Sequence, residues 1–362
     1  MYVENGKISN RQTLRLFVFD LMGIATLLLP PYLSKLCGVD GVFAIVGGAF
    51  LSILYLLYLG WIMKHLQMDL YQFLETHTVF FVRGVTYIFV LLHSIFTAGF
   101  CGLVFAKLMG HSLVTKIPFW VVLLVILLLA AYAVTGGIES RARVYEVVFW
   151  FVLLPYIGMM LASVKNVEIA YLEGLFTTES LDIFKGVYLV FLFFTPLFFS
   201  LFLIGEKEKN YGRNVVKTIF VSVCIAAGIL LGSYLLLVAN FGEESLASMQ
   251  YPVVTLMSTI QFKGNFLKRM DALMLSVWFF TLYALLNLHM HYSTAMMRVI
   301  FSKGKSQKWQ VIVVTVLVFG IGFCMQSKSD WVWNFIDYYS YVAVPIMVIG
   351  PGLLLLCKKK RR

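Results

Sequence analysis

Asp20 sits inside the apolar run Phe17–Leu29, where a carboxylate is out of place. An ionisable group at membrane depth is expensive and marks a substrate or ion pathway by default, so Asp20 is a candidate intramembrane site. Placement near the interface, with Arg15 or Lys64 as partner, is the competing reading. Three residues on, Gly23-Ile24-Ala25-Thr26 leads into Pro30-Pro31. Thr195-Pro196-Leu197 similarly interrupts LVFLFFTPLFFSLF. Proline lacks an N–H and glycine weakens a helix, so both stretches predict local unwinding. A half-helix N-terminus would present positive partial charge to a carboxylate, and freed carbonyls would hold a cation or ammonium. This is binding chemistry.

Two further pairs lie four residues apart on helical runs. His93 and Thr97 stand beside Phe96 and Phe100, and Tyr283 precedes Asn287. Each pair could project one polar face into a central cavity, or supply interhelical hydrogen bonds worth ~0.6 kcal/mol. His289 and His291 point about 200° apart on a helix, which argues against joint chelation. Gly228-x-x-x-Gly232 predicts a close helix approach. Gly304-Lys305-Ser306 lacks the earlier glycine of a phosphate loop, Val299 standing there instead. HExxH, GxSxG and kinase signatures are all missing, and Cys37, Cys101, Cys224, Cys324 and Cys357 form no CxxC pair. The sequence therefore predicts no enzyme, no cofactor and no metal site.

The elements that must position these residues follow from composition. Of 362 residues, 60% are hydrophobic and 13% charged, with net charge +11 and mean hydropathy +0.87. A nucleic-acid binder would need a polar surface that this chain cannot build, so no nucleic-acid partner is expected. Apolar runs near the ~20 residues needed to span a bilayer recur at 12–36, 39–63, 81–106, 117–136, 144–164, 186–205, 215–239, 271–297, 309–325 and 337–357. They predict an all-α polytopic protein with ten membrane-spanning helices in contact with lipid. Most Lys and Arg then fall on the side of both termini, which places the termini in the cytoplasm. The two interruptions open corresponding five-span halves, approximately 12–164 and 186–357, of one permease-like domain over 1–362. Broken helices at matching positions point to an inverted-repeat transporter fold with helices 1 and 6 discontinuous.

Residues 165–185 form an outward loop carrying Glu168, Glu173, Glu179 and Asp182. Residues 241–270 predict an interfacial helix lying along the membrane. The tail Lys358–Arg362 reads most simply as a topogenic anchor, with anionic-lipid recognition the alternative.

The chain resembles the B-subunit family of spore germinant receptors (spore germination permeases), a branch of the amino acid–polyamine–organocation permease superfamily. The resemblance runs from Ile8-Ser9-x-Arg11-Gln12 through Gly23–Thr26 and Leu28-Leu29-Pro30. It continues at Gly136-Gly137-Ile138-Glu139-Ser140-x-Ala142-Arg143 and at the basic loop Glu206–Arg213. Its most specific part is Tyr251-Pro252 through Phe262-x-Gly264-x-Phe266-Leu267-x-Arg269-x-Asp271-Ala272, running into Trp278.

The resemblance implies two inverted five-helix halves of the LeuT type and a pocket for an amino acid or similar small nutrient. It implies assembly with a membrane A subunit and a C-subunit lipoprotein in the spore inner membrane. Carried over by position, Gly23, Ile24, Ala25 and Thr26 of helix 1 and Thr195, Pro196 and Leu197 of helix 6 form the pocket. Helices 3 and 8 line its walls. Ala25 stands where the superfamily often has glycine, and Phe198 and Phe199 fill the stretch where relatives often place an acid, which predicts a more apolar pocket. The expected function is germinant sensing by population shift, with residues 241–270 as coupling surface. An ion-coupled secondary amino acid transporter is the alternative.

Overall fold

A computed structural model describes residues 8–66, 68–112, 116–203, 212–259, 270–302, 308–328 and 330–356. In chain order the helices are α1 (Asn10–Cys37), α2 (Gly41–Leu66), α3 (Leu70–His77), α4 (Phe80–Ser112), α5 (Phe119–Thr135), α6 (Gly137–Ser163) and α7 (Ser180–Phe193). There follow α8 (Gly212–Phe241), α9 (Glu243–Ser248), α10 (Pro252–Thr259), α11 (Met270–Ser302), α12 (Lys308–Gln326), α13 (Trp331–Tyr338) and α14 (Val344–Leu356). A tighter 3₁₀ stretch, Thr195–Phe202, prolongs α7, and a π-helical turn, Tyr339–Ala343, joins α13 to α14.

Among the described residues, seven stretches are long and apolar enough to cross a membrane. The first, Asn10–Leu66, takes in both α1 and α2, while Phe119–Thr135 is apolar but shorter. Exposed apolar side chains recur at helical spacing along the outer faces, such as Phe50, Leu54, Leu57 and Trp61 on α2, and Val147, Phe151 and Leu154 on α6. Soluble monomers rarely expose so continuous an apolar surface, and lipid is the solvent that suits it.

The core is built around α1. A capping box starts it: the Gln12 N–H donates to the Ser9 hydroxyl (3.2 Å) and the Ser9 N–H to the Gln12 side chain (2.9 Å). The Ser9 and Gln12 of the N-terminal family motif therefore have a local structural role. Every residue from Arg15 to Pro31 is buried, so α1 is enclosed on all sides by α6, α7, α8 and α11.

Helix 1 is not discontinuous. α1 runs unbroken through Gly23–Thr26 and both prolines. The Thr26 hydroxyl donates back to the Met22 carbonyl (2.7 Å). Gly23 serves close packing: a Cβ there would lie 2.9 Å from the carbonyl oxygen of Thr281 on α11. Pro30 and Pro31 cannot donate to the carbonyls of Thr26 and Leu27, so the helix loses hydrogen bonds there while keeping its winding.

One other expectation is corrected. An added Cβ at Gly228 or Gly232 meets no atom within 4 Å, so this glycine pair mediates no close approach among the described residues. Close approach occurs instead at Gly48 against Val190 and at Gly322 against Gly99. Within 241–270 the described part forms α9 and α10, which pack on α1. The Ser34 hydroxyl donates to the Glu243 carbonyl (2.8 Å), and the Glu243 carboxylate accepts from the Val39 N–H (3.1 Å). Residues 260–269, most of the basic loop 206–213 and the tail 358–362 lie outside the described residues.

Candidate functional site

Helix 6 does change its winding where the sequence places the break. Pro196 cannot donate to the carbonyl of Leu192, and the Thr195 hydroxyl donates to that carbonyl instead (2.7 Å). Beyond it the backbone continues through eight buried 3₁₀ residues, Thr195–Phe202. Such runs rarely exceed ~4 residues, and long ones mark a hinge or a strained sequence.

This stretch faces the middle of α1. Asp20, Ile24 and Ala25 from α1, Thr195 and Pro196 after α7, and Thr97 from α4 share one small cavity. Its volume is about 20 Å³, room for about one water. Leu21, Leu192, Phe193, Leu285, Phe335 and Tyr339 close the rest. The Thr97 and Tyr339 hydroxyls are hydrogen-bonded (2.9 Å). Tyr339 opens the π-helical turn, a feature that recurs at functional sites.

The other predicted residues lie around this centre. Gly23 faces Thr281 and Thr26 bonds back along α1. The Leu197 N–H donates to the Phe194 carbonyl (3.2 Å). Phe96 packs on Tyr338, with ring centroids 4.3 Å apart. His93 lies one turn from Thr97, its Nδ1 3.1 Å from the Tyr338 hydroxyl. Tyr283 turns away and donates to the Leu129 carbonyl on α5 (3.1 Å). Asn287 is buried, one helical turn beyond Tyr283 on α11. The structure thus brings Asp20, Ile24, Ala25, Thr97, Thr195 and Pro196 together and leaves Gly23, Thr26, Phe96, His93, Leu197, Tyr283 and Asn287 outside the cavity lining.

Asp20 pairs with Arg141, and neither Arg15 nor Lys64 is its partner. The two side chains are 3% and 4% exposed. Arg141 also donates to the Ala284 carbonyl (3.2 Å) and lies over the Tyr145 ring. One guanidinium therefore ties α6 to α1 and α11. Arg15 is engaged elsewhere, donating to the Glu146 carbonyl (2.7 Å). By charge placement Arg141 reads as a loop cation. Its signal was the spacing of Arg141, Tyr145 and Phe149, which repeats every four residues and marks one buried face.

His289 and His291 diverge. His289 stands against His93, ring centroids 5.6 Å apart, and neither of its nitrogens has a hydrogen-bond partner. His291 lines a separate cavity. Among the described residues no three His, Cys, Asp or Glu side chains group as metal ligands.

A family model described as spore germination protein matches residues 7–330. Spore germination protein A2 of Bacillus subtilis is 19% identical over 98% of this chain and 97% of its own. Spore germination protein YndE of the same organism is 20% identical over 72% of this chain and 70% of its own. Among solved structures, MhsT in complex with L-phenylalanine aligns with TM-score 0.70 at 12% identity, covering 96% of this chain and 88% of that one. A substrate-bound, outward-open Na⁺-coupled sialic acid symporter aligns with TM-score 0.64 at 12% identity, covering 96% and 77%. The fold is of the LeuT type.

Proposed function

This chain belongs to the spore germination protein family, and from that premise we propose that it is the germinant-sensing subunit of a spore germination receptor. It is a membrane protein of receptor or transporter type. The ligand is a small nutrient, an amino acid or a molecule of that class. It binds where the 3₁₀ stretch after α7 meets α1, between Ile24 and Ala25 on one side and Thr195 and Pro196 on the other. Thr97 and Tyr339 offer hydroxyls to its polar end. Leu21, Phe193, Leu285 and Phe335 line the space for an apolar side chain.

The observation that carries this reading is the closed state of the site. Ligand pockets usually span about 300–1,000 Å³, against about 20 Å³ here. Binding therefore requires the surrounding helices to move. A ligand that favours the opened arrangement shifts the population toward it. The shift reaches partner A and C subunits through α9 and α10, which are fastened to the end of α1 by Glu243. We place the chain in the spore inner membrane, with ten crossings in two inverted halves and both termini facing the core.

Spores carrying Ala25→Leu test the site, because the added bulk fills the cavity. Germination should require at least tenfold more nutrient while the receptor still assembles. An unchanged concentration dependence would remove Ala25 from the pocket. The likeness to the phenylalanine-bound structure favours one other reading, an ion-coupled amino acid transporter. Concentrative uptake of radiolabelled phenylalanine or alanine by this chain alone in proteoliposomes would favour the transporter over the sensor.

A further inference from the structure

A cavity of about 1560 Å³, far larger than the nutrient site, lies at the end of the bundle where α2 gives way to α3. Its walls are α3, the start of α4 and the last turns of α11. Two kinds of surface meet there. Phe80, Phe81, Val85 and Ile88 form one rim and are 81%, 77%, 52% and 51% exposed on the lipid-facing side of α4. The opposite wall is basic. His291 and Arg298 lie two turns apart on one face of α11 and both line the cavity.

Among the described residues the charge there is uncompensated. Glu75 is the one carboxylate among the lining residues. It is already engaged, accepting from Arg83 (2.9 Å) and from the Tyr87 hydroxyl (3.0 Å). Arg298 makes no ion pair among the described residues, and its Nε has no hydrogen-bond partner. Arg298 stands just past the apolar run 271–297, at the level where a guanidinium meets phosphate headgroups. The recess opens through an apolar rim. Charge inside and hydrocarbon at the mouth describe an amphiphile with a negative head.

We propose that this cavity binds one anionic phospholipid, its phosphate held by Arg298 and His291 and its acyl chains laid along Phe80, Phe81, Val85 and Ile88. α3 forms the lid over the headgroup, its own apolar face (Leu70, Phe73 and Leu74) buried against the bundle. The lipid also touches the germinant machinery. Tyr292 lines the cavity and stacks on Phe199 of the 3₁₀ stretch, with ring centroids 4.4 Å apart.

The test uses the full chain in nanodiscs of phosphatidylcholine, with and without phosphatidylglycerol, and counts retained lipids by native mass spectrometry. The wild-type chain should retain one phosphatidylglycerol in preference to phosphatidylcholine. Arg298→Gln should weaken that retention about tenfold, while Arg298→Lys keeps most of it and Lys185→Gln, at the opposite end, changes nothing. Ala295→Trp fills the cavity without altering charge and should expel the lipid even if Arg298→Gln folds poorly. Equal retention of the two lipids, or undiminished retention by Arg298→Gln and Ala295→Trp, would overturn the proposal. Inorganic phosphate in phosphatidylcholine discs separates the sources. If it displaces phosphatidylglycerol at millimolar concentration, the site takes a soluble anion and the lipid assignment fails.

Discussion

Asp20 on α1 and Arg141 on α6 form an ion pair closed off from solvent, with Arg141 also reaching the Ala284 carbonyl on α11. Removing one member of such a pair leaves a buried charge without compensation and costs ~3–5 kcal/mol. Asp20→Asn and Arg141→Gln should therefore each lower the unfolding temperature of the purified protein markedly. Asp20→Leu combined with Arg141→Met should be more stable than either single change. Wild-type unfolding of Arg141→Gln would show that the pair does not hold these helices.

Gly23 and Gly228 should respond oppositely to the same methyl group. At Gly23 a Cβ collides with the Thr281 backbone, so Gly23→Ala must push α1 from α11 at a cost of ~1–3 kcal/mol. At Gly228 a Cβ enters open space, and Gly228→Ala should be neutral or stabilising by up to ~1 kcal/mol. Thermal unfolding of both variants in one detergent decides the matter.

Thr195 completes the hydrogen bond that Pro196 cannot make. Thr195→Val should strand the buried Leu192 carbonyl and cost ~1–3 kcal/mol. Adding Pro196→Ala returns an N–H to that carbonyl and should recover most of the loss. A double variant no more stable than Thr195→Val would contradict this account of the Thr-Pro step.

The Thr97–Tyr339 hydrogen bond should matter more for response than for stability. A double-mutant cycle with Thr97→Val and Tyr339→Phe should give a coupling of ~0.6 kcal/mol, the usual worth of an interhelical hydrogen bond. Both variants should nonetheless shift the nutrient concentration that triggers germination. A cycle showing no coupling, with unchanged germination, would separate the two hydroxyls from the site.

Hydropathy alone located the long helices, because a run of apolar residues has few other uses, and it passed over the short α3. The change of winding at Thr195 was also legible, since proline removes a donor wherever it stands. Gly23 misled because glycine serves two ends, loosening a backbone or admitting a neighbour, and only the position of Thr281 separates them. Arg141 was hidden by its nearness to a turn. Gly137 takes a positive φ of 70°, a conformation that favours glycine, and the chain re-enters the bundle within one turn of helix. A cation counted with the loops thus lies buried in the bundle. Tyr339 and Phe335 were missed because they close the cavity from the far end of the chain, and no local pattern joins them to Asp20.

The eight residues from Thr195 to Phe202 are stretched relative to an α-helix. A 3₁₀ turn climbs ~2.0 Å per residue and an α turn ~1.5 Å. Rewinding this segment would draw its two ends together by about 4 Å, with no hinge loop and no domain rotation. A segment of fixed travel thus lies beside the small cavity that Asp20, Ala25 and Thr97 line.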